Sequence, residues 1–188
     1  LIIIILLSIF FTVKTSPKFI DINLDKKYYF FFGILFLLSL SPPTDADSLD
    51  YHIGVPLEII KNGKLIFRDD WFHSYLMGYG EMVNLFGLIN GSKNFGQIIN
   101  FIAIINIFYV FSLFKKENKN SLNIYYFLFS IPLILWFTTS SKPQLYQSSL
   151  ILYAFYLLIS SIKLRGIISN KNIIILSVFF SYCVYSKL

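Results

Sequence analysis

Long apolar runs separated by short polar segments dominate the chain. The runs are continuous in Leu, Ile and Phe rather than alternating, and several approach the about 20 residues that a membrane-spanning helix needs. We expect six spans, at residues 1–13, 28–41, 95–114, 123–140, 145–162 and 172–186. Pro132 is expected to kink the fourth span. The pattern predicts an all-α fold, a polytopic transmembrane helix bundle that forms a single domain over residues 1–188.

Composition agrees with a membrane location. Charged residues make up 14% of the chain, against about 25% in soluble domains, while 56% of residues are hydrophobic and the mean hydropathy is +0.66. These values exclude a soluble single domain and a disordered chain. The cations form no basic stripe, so we expect a lipid bilayer and no nucleic acid as partner, with the oligomeric state left open. Since the first run looks cut off, we interpret the chain as an N-terminal fragment.

Charge also predicts the orientation of the chain. Ten of the 16 Lys and Arg residues fall in one set of alternate loops, and short cytoplasmic loops collect such cations. The opposite set includes the long segment 42–94, which contains seven of the ten acids, and the short turn at Lys142. We therefore predict a multi-pass protein of the inner (plasma) membrane with residues 42–94 outside the cytoplasm.

The long segment 42–94 has the pattern of a structured cap. Pro56 suits the start of a helix and Gly63 its end, which predicts a short amphipathic helix at 56–62. A second amphipathic stretch covers 75–89, and Asn90-Gly91 turns the chain into the next span. Both short helices are expected to lie on the membrane surface.

Chemistry-bearing residues concentrate at Asp45, Asp47, Asp50 and His52. Crowded carboxylates either raise one another's pKa toward that of a useful general base or recruit a divalent cation. A calcium loop of the EF-hand type is excluded, because its sixth position requires Gly and here would be Asp50. The alternative is that these acids are only solvated, with Asp45 capping a turn.

The spacing of this segment resembles the first external loop of the GT-C glycosyltransferases, which include protein O-mannosyltransferases and lipid-linked-sugar transferases. The similarity rests on Asp47, Tyr51 four positions later and a helix closing at Gly63, and it covers about residues 28–160. It implies that Asp47 is the catalytic aspartate. Ser48 departs from the pattern of many members, which have a second acid there, so Asp45 or Asp50 is left as the supporting carboxylate.

The resemblance implies transfer of a sugar from a polyprenyl-phosphate donor to an external acceptor, with Asp as general base and inversion at the sugar. Arg68 and Lys142 are then candidates to bind the donor phosphate, ahead of Lys61 and Lys64. The alternatives are an ion pair of Arg68 with the neighbouring acids and an ordinary interfacial role for Lys142.

Three further residues are candidates to support the acceptor or a metal, namely Tyr51, His52 and Glu81. For His52 the alternative is a structural hydrogen bond, and for Glu81 it is the wet face of an amphipathic helix. The requirement for a divalent cation stays open.

Other classes of protein remain as alternatives: a transporter or flippase for lipid-linked sugars, a polysaccharide polymerase or ligase, and a non-catalytic assembly subunit. Transporters place ionisable groups in mid-membrane, whereas the predicted spans contain almost none. The distribution of acids favours chemistry at the external surface.

Overall fold

The computed structural model describes residues 26–76, 78–117, 130–165 and 170–185. Over these ranges the chain is helical and contains no β-strand, which confirms the predicted all-α class. Seven α-helices occur there: α1 Lys26–Ser39, α2 Gly54–Asn62, α3 Met82–Ile89, α4 Phe95–Glu117, α5 Pro132–Thr139, α6 Gln144–Arg165 and α7 Asn170–Tyr185.

The long helices α4 and α6 pack against each other and organise the rest. Helices α1, α3 and α5 pack on α4, while α7 packs on α6. One apolar cluster joins α1, α4 and α6 around buried Leu35 and Ile104, and Phe32 meets Phe108 edge to face at 4.9 Å. A second cluster joins α4, α6 and α7 around Val110 and Ala154. These two apolar clusters fix α4 and α6 relative to each other and to the helices around them.

Among the residues that the structure describes, two helical stretches are long and apolar enough to cross a membrane, Phe95–Phe114 in α4 and Gln144–Lys163 in α6. Shorter apolar helices occupy Tyr28–Ser39 and Asn172–Tyr185. At about 1.5 Å per residue, the 14 residues of α1 extend about 21 Å, less than the about 30 Å of a hydrocarbon core. The six-span bundle is therefore not confirmed. The first predicted span, 1–13, lies outside the described residues, as does 123–129 of the fourth.

The prediction that Pro132 kinks the interior of a helix is wrong. Pro132 is the first residue of α5, and Ile131 before it is extended. Proline is favoured at this position, since its missing N–H would have had no partner in the first helical turn, and it disfavours a helical conformation in the residue before it. The described part of the fourth predicted span is consequently a helix of only eight residues.

The segment 42–94 is structured, as predicted. A π-helical turn at Ser48–Ile53, which we call the π turn, runs directly into α2. Helix α2 ends at Gly63, whose φ of 70° is the left-handed conformation that favours glycine at a helix end. The predicted helix at 56–62 is thus confirmed with its start moved to Gly54.

The second stretch differs from its prediction as a single helix. Two 3₁₀ turns, Phe72–Tyr75 and Tyr79–Glu81, precede α3 at Met82–Ile89. Leu76 ends the first turn and Gly78, before the second, is extended, so the described residues do not form one continuous helix. The expected turn at Asn90-Gly91 is confirmed, with Gly91 at φ 78°.

Candidate functional site

A charged pair joins the 42–94 segment to the short turn between α5 and α6. The Lys142 ammonium donates a hydrogen bond to Asp47 Oδ2 at 2.6 Å. Lys142 is 6% exposed, whereas the Asp47 side chain is 60% exposed. The hydrogen bond from Lys142, together with its positive charge, lowers the pKa of Asp47 below the ordinary 3.8. Asp47 is therefore an ionised carboxylate that faces solvent with a buried cation behind it.

Asp45 has two roles beside this pair. Its Oδ1 accepts the backbone N–H of Ser48 at 2.9 Å, and its carbonyl accepts that of Leu49 at 3.1 Å. These are the contacts of a helix N-cap, so Asp45 fixes the start of the helical segment that carries Asp47. The same Oδ1 lies 3.9 Å from the Lys142 ammonium. The capping alternative for Asp45 is thus observed, together with proximity to the charged pair.

Residues 140–143 form the Lys142 turn, and side chains from the 42–94 segment hold its backbone. The Ser141 N–H donates to Ser48 Oγ at 2.9 Å, and the Ser141 carbonyl accepts Asn84 Nδ2 at 2.9 Å. All three residues are buried. The N–H and the carbonyl of Ser141, the residue before Lys142, are therefore both held by side chains of the 42–94 segment.

Helix α4 holds the same turn from the other side. Asn100 Nδ2 donates to the carbonyls of Phe137, Ser140 and Lys142 at 3.0, 3.0 and 2.8 Å. Gln97 donates to the carbonyl of Thr139. Both amides are fully buried, and they donate to carbonyls at the end of α5 and in the Lys142 turn. The turn that carries Lys142 is therefore held both by the 42–94 segment and by α4.

Pro56 changes the hydrogen bonding at the end of the π turn. Pro56 lacks an N–H, so the carbonyl of His52 four residues earlier has no α-helical donor. Asn84 supplies one instead, since its Nδ2 donates to the His52 carbonyl at 3.0 Å. One amide therefore bridges the π turn and the Lys142 turn.

A buried His–Glu pair lies behind the π turn. His52 Nδ1 and Glu81 Oε1 are 2.9 Å apart, and Glu81 Oε2 accepts the N–H of Gly78 at 2.8 Å. Glu81 is only 2% exposed, so its placement on a wet face is wrong. The hydrogen-bonded alternative for His52 is observed.

The ring of Tyr51 lies against that of His52. Its ring lies 3.9 Å from that of His52, centroid to centroid. Burial, followed by the charges of Glu81 and Asp47, raises the pKa of Tyr51 to about 12. The Tyr51 hydroxyl therefore stays protonated at neutral pH, as a polar group rather than a base.

The other predicted site residues are engaged elsewhere. Asp50 accepts the indole N–H of Trp71 at 2.8 Å and pairs with His73. Arg68 makes a two-point ion pair with Asp70, its Nε and Nη2 lying 3.0 and 2.5 Å from the two carboxylate oxygens. The structure thus shows Arg68 in the local ion pair that was its alternative, and brings Asp45, Asp47 and Lys142 together.

The acids Asp45 and Asp47 are also candidate ligands for a divalent cation. Within the described ranges, no three His, Cys, Asp or Glu side chains lie close enough to hold an ion. The Lys142 ammonium already lies beside both the Asp45 and the Asp47 carboxylate. A divalent cation bound by these acids would be repelled by that ammonium, so the residues fit a metal poorly.

The supporting residues Ser48, Asn84, Ser141 and Gln97 were not singled out as site residues by the sequence. Their contacts cross 42 to 93 positions of the chain, and spacing along the sequence gives no sign of such pairings. The available signal was the presence of amides near the start of an apolar run, where an unpaired polar group is costly. Asn100, inside the same apolar run, also faces a neighbouring element rather than lipid.

Over the described part of the chain, fold and site define an all-helical architecture, with two helices long and apolar enough to cross a membrane and a charged pair at their shared end. The family model of the DUF1420 N-terminal domain matches residues 3–186, and the chain belongs to this family. Comparisons with curated proteins and with solved structures gave no match.

Proposed function

We propose that this protein is a membrane glycosyltransferase that uses a polyprenyl-phosphate-linked sugar as donor and Asp47 as general base. The observation that carries the proposal is the pair formed by the exposed Asp47 carboxylate and the buried Lys142 ammonium, 2.6 Å apart. A base for the acceptor and a cation for the leaving phosphate are the two groups that this reaction needs.

The reaction follows from these two groups. Asp47 takes the proton of the acceptor hydroxyl or amine while the acceptor atom forms a bond to the anomeric carbon. The bond from that carbon to the phosphate oxygen breaks on the opposite face, which inverts the sugar. The electron pair of the broken bond leaves with the polyprenyl phosphate, whose negative charge Lys142 stabilises. A polyprenyl phosphate is a good leaving group without protonation, so a single carboxylate suffices. No step passes through a metal.

Apolar surface supports a location in the membrane. Helix α1 leaves Phe30 74% exposed and Leu37 68% exposed, and α7 leaves Ile174 65% exposed. Exposed apolar residues of this extent on helices are expected to face lipid. The 42–94 segment and the Lys142 turn, which the charge pattern places on the same side, are in direct contact through Asp47. We propose that both face the outside of the plasma membrane.

Labelling tests this orientation. Asn62 is exposed at the end of α2, so an Asn62→Cys variant in a Cys183→Ser background should react with an impermeant thiol reagent on intact cells. Reaction only after cell lysis would contradict an external loop.

A transporter or flippase for lipid-linked sugars is the second candidate, and a polysaccharide polymerase or ligase the third. The stretches Phe95–Phe114 and 145–162 contain no acidic or basic residue. Their amides are used structurally, as Asn100 shows. The absence of an ionisable pathway along these two helices favours the transferase.

Substitution of Asp47 tests the proposal. In the intact protein, Asp47→Asn should abolish sugar transfer from polyprenyl-phosphate donors and leave membrane insertion unchanged, because the amide cannot accept the acceptor proton. Asp69→Asn is the matched control: it removes the same charge from the same loop, at an exposed residue bonded to Tyr75. Full activity of Asp47→Asn would refute the assignment.

A further inference from the structure

The Lys142 ammonium is enclosed on the sides that the structure describes. The ring of Trp136 lies 4.2 Å away, centroid to nitrogen, Asp45 Oδ1 lies at 3.9 Å and Asp47 Oδ2 at 2.6 Å. Of these three neighbours, Asp45 is 17% exposed, Trp136 45% and Asp47 60%. Asp47 is therefore the neighbour of the ammonium that is most accessible to a ligand arriving from solvent.

We propose that the phosphate of the lipid-linked donor displaces the Asp47 carboxylate from Lys142, so that donor binding itself releases the base. This inference rests on the proposed function and adds the order of events at the site. Both anions compete for one ammonium, and Lys142 is 7% exposed in its side chain, which leaves little room for both in contact at once.

The exchange has a consequence for reactivity. While Asp47 holds the Lys142 hydrogen bond, its pKa is lowered and it is a weak base. Once phosphate takes that hydrogen bond, the cause of the lowering is removed and the carboxylate, now beside a phosphate anion, becomes a stronger base. Asp45 does not change place in the same way, because its Oδ1 is held by the Ser48 N–H. Base strength is thus tied to the presence of the donor.

Binding of a polyprenyl monophosphate, the leaving group, tests the displacement without requiring the sugar to be known. The intact protein is placed in phosphatidylcholine nanodiscs and titrated with the lipid, followed by native mass spectrometry. Asp47→Asn should bind the lipid about 2- to 5-fold more tightly than the wild type, because a competitor worth as much as an exposed ion pair is removed. Lys142→Gln should bind more weakly than the wild type.

Two control variants distinguish loss of the direct contact with Lys142 from loss of a negative charge alone. Asp45→Asn removes a carboxylate 3.9 Å from the same ammonium and keeps the helix cap, since Asn caps as well as Asp. Its gain in affinity should be smaller than that of Asp47→Asn. Asp69→Asn, remote from the pair, should show none. Equal gains at Asp45 and Asp47, or no gain at Asp47, would overturn the displacement.

The outcomes also separate this inference from the proposed function. A wild type that binds the lipid, with unchanged affinity in Asp47→Asn, contradicts the displacement alone. A wild type and variants that all fail to bind contradict the lipid-linked donor and the displacement together. Inorganic phosphate is titrated in parallel, and binding of it as tight as that of the lipid would overturn a lipid-linked ligand.

Discussion

Asn84 is the residue whose loss should most disturb the site without touching its charges. Its single amide donates to the carbonyls of His52 and Ser141, at 3.0 and 2.9 Å, and both carbonyls belong to buried residues. Pro56, four residues after His52, has no N–H, so the His52 carbonyl lacks the donor that an α-helix would supply. Leaving a buried acceptor unpaired costs about 1–3 kcal/mol, so Asn84→Ala should lose about 2–4 kcal/mol, allowing for water entry at one carbonyl.

Thermal unfolding of the intact protein in detergent measures this loss. At about 2–4 °C per kcal/mol, the range for domains of about 150–250 residues, Asn84→Ala should lower Tm by about 4–16 °C. Asn62→Ala is the matched control, since it removes an amide that is exposed and bonded within one helix turn to Glu58. Its effect should stay within about 0.5 kcal/mol. A decrease for Asn84→Ala no larger than that of Asn62→Ala would refute the bridging role.

Two further predictions concern packing and pH. Gly96→Ala would bring a Cβ into collision with the Asn84 amide oxygen and should destabilise the protein by about 1–3 kcal/mol. Gly33→Ala meets nothing within 4 Å and should be neutral or stabilising. Chemical denaturation of both variants measures the difference in their free energies of unfolding. Because Lys142 lowers the pKa of Asp47 below 3.8, the stabilisation from their pair is present above pH 3.8 and is lost as the pH falls through the lowered pKa. Lys142→Gln should remove this acid-dependent loss, and an unchanged stability difference between wild type and variant across that range would contradict it.

The all-α fold and the ordered helix and turn of the 42–94 segment could be predicted from the sequence, because they depend on patterns of a few neighbouring residues. The apolar period, Gly63 and Asn90-Gly91 act over a few residues, and each appears in the structure where it was expected. Span length was less predictable. Pro132 is compatible with both a kink and a helix start, and the structure shows the helix start, with Ile131 extended before it.

The candidate site could be predicted from the sequence only in part. Asp45, Asp47 and Lys142 stood out because charges are scarce in this chain, and the charge pattern predicts them on one side of the membrane. Direct contact between Lys142 and Asp47, 95 positions apart, could not be predicted from that pattern. Burial of Glu81 could not be read from its helical spacing, since its partner His52 lies 29 positions earlier. Such pairings depend on tertiary contacts, and the amides that hold them look like any polar residue in an apolar run.

Donor turnover tests the central claim most directly. The intact protein is incubated in nanodiscs with a panel of polyprenyl-phosphate sugars and an extract containing acceptors, and free polyprenyl phosphate is measured by mass spectrometry. We predict that at least one donor is converted to polyprenyl phosphate by the wild type and by Asp69→Asn, and that none is converted by Asp47→Asn. Turnover that persists in Asp47→Asn, or transbilayer movement of an intact donor without any release of polyprenyl phosphate, would contradict a glycosyltransferase centred on Asp47.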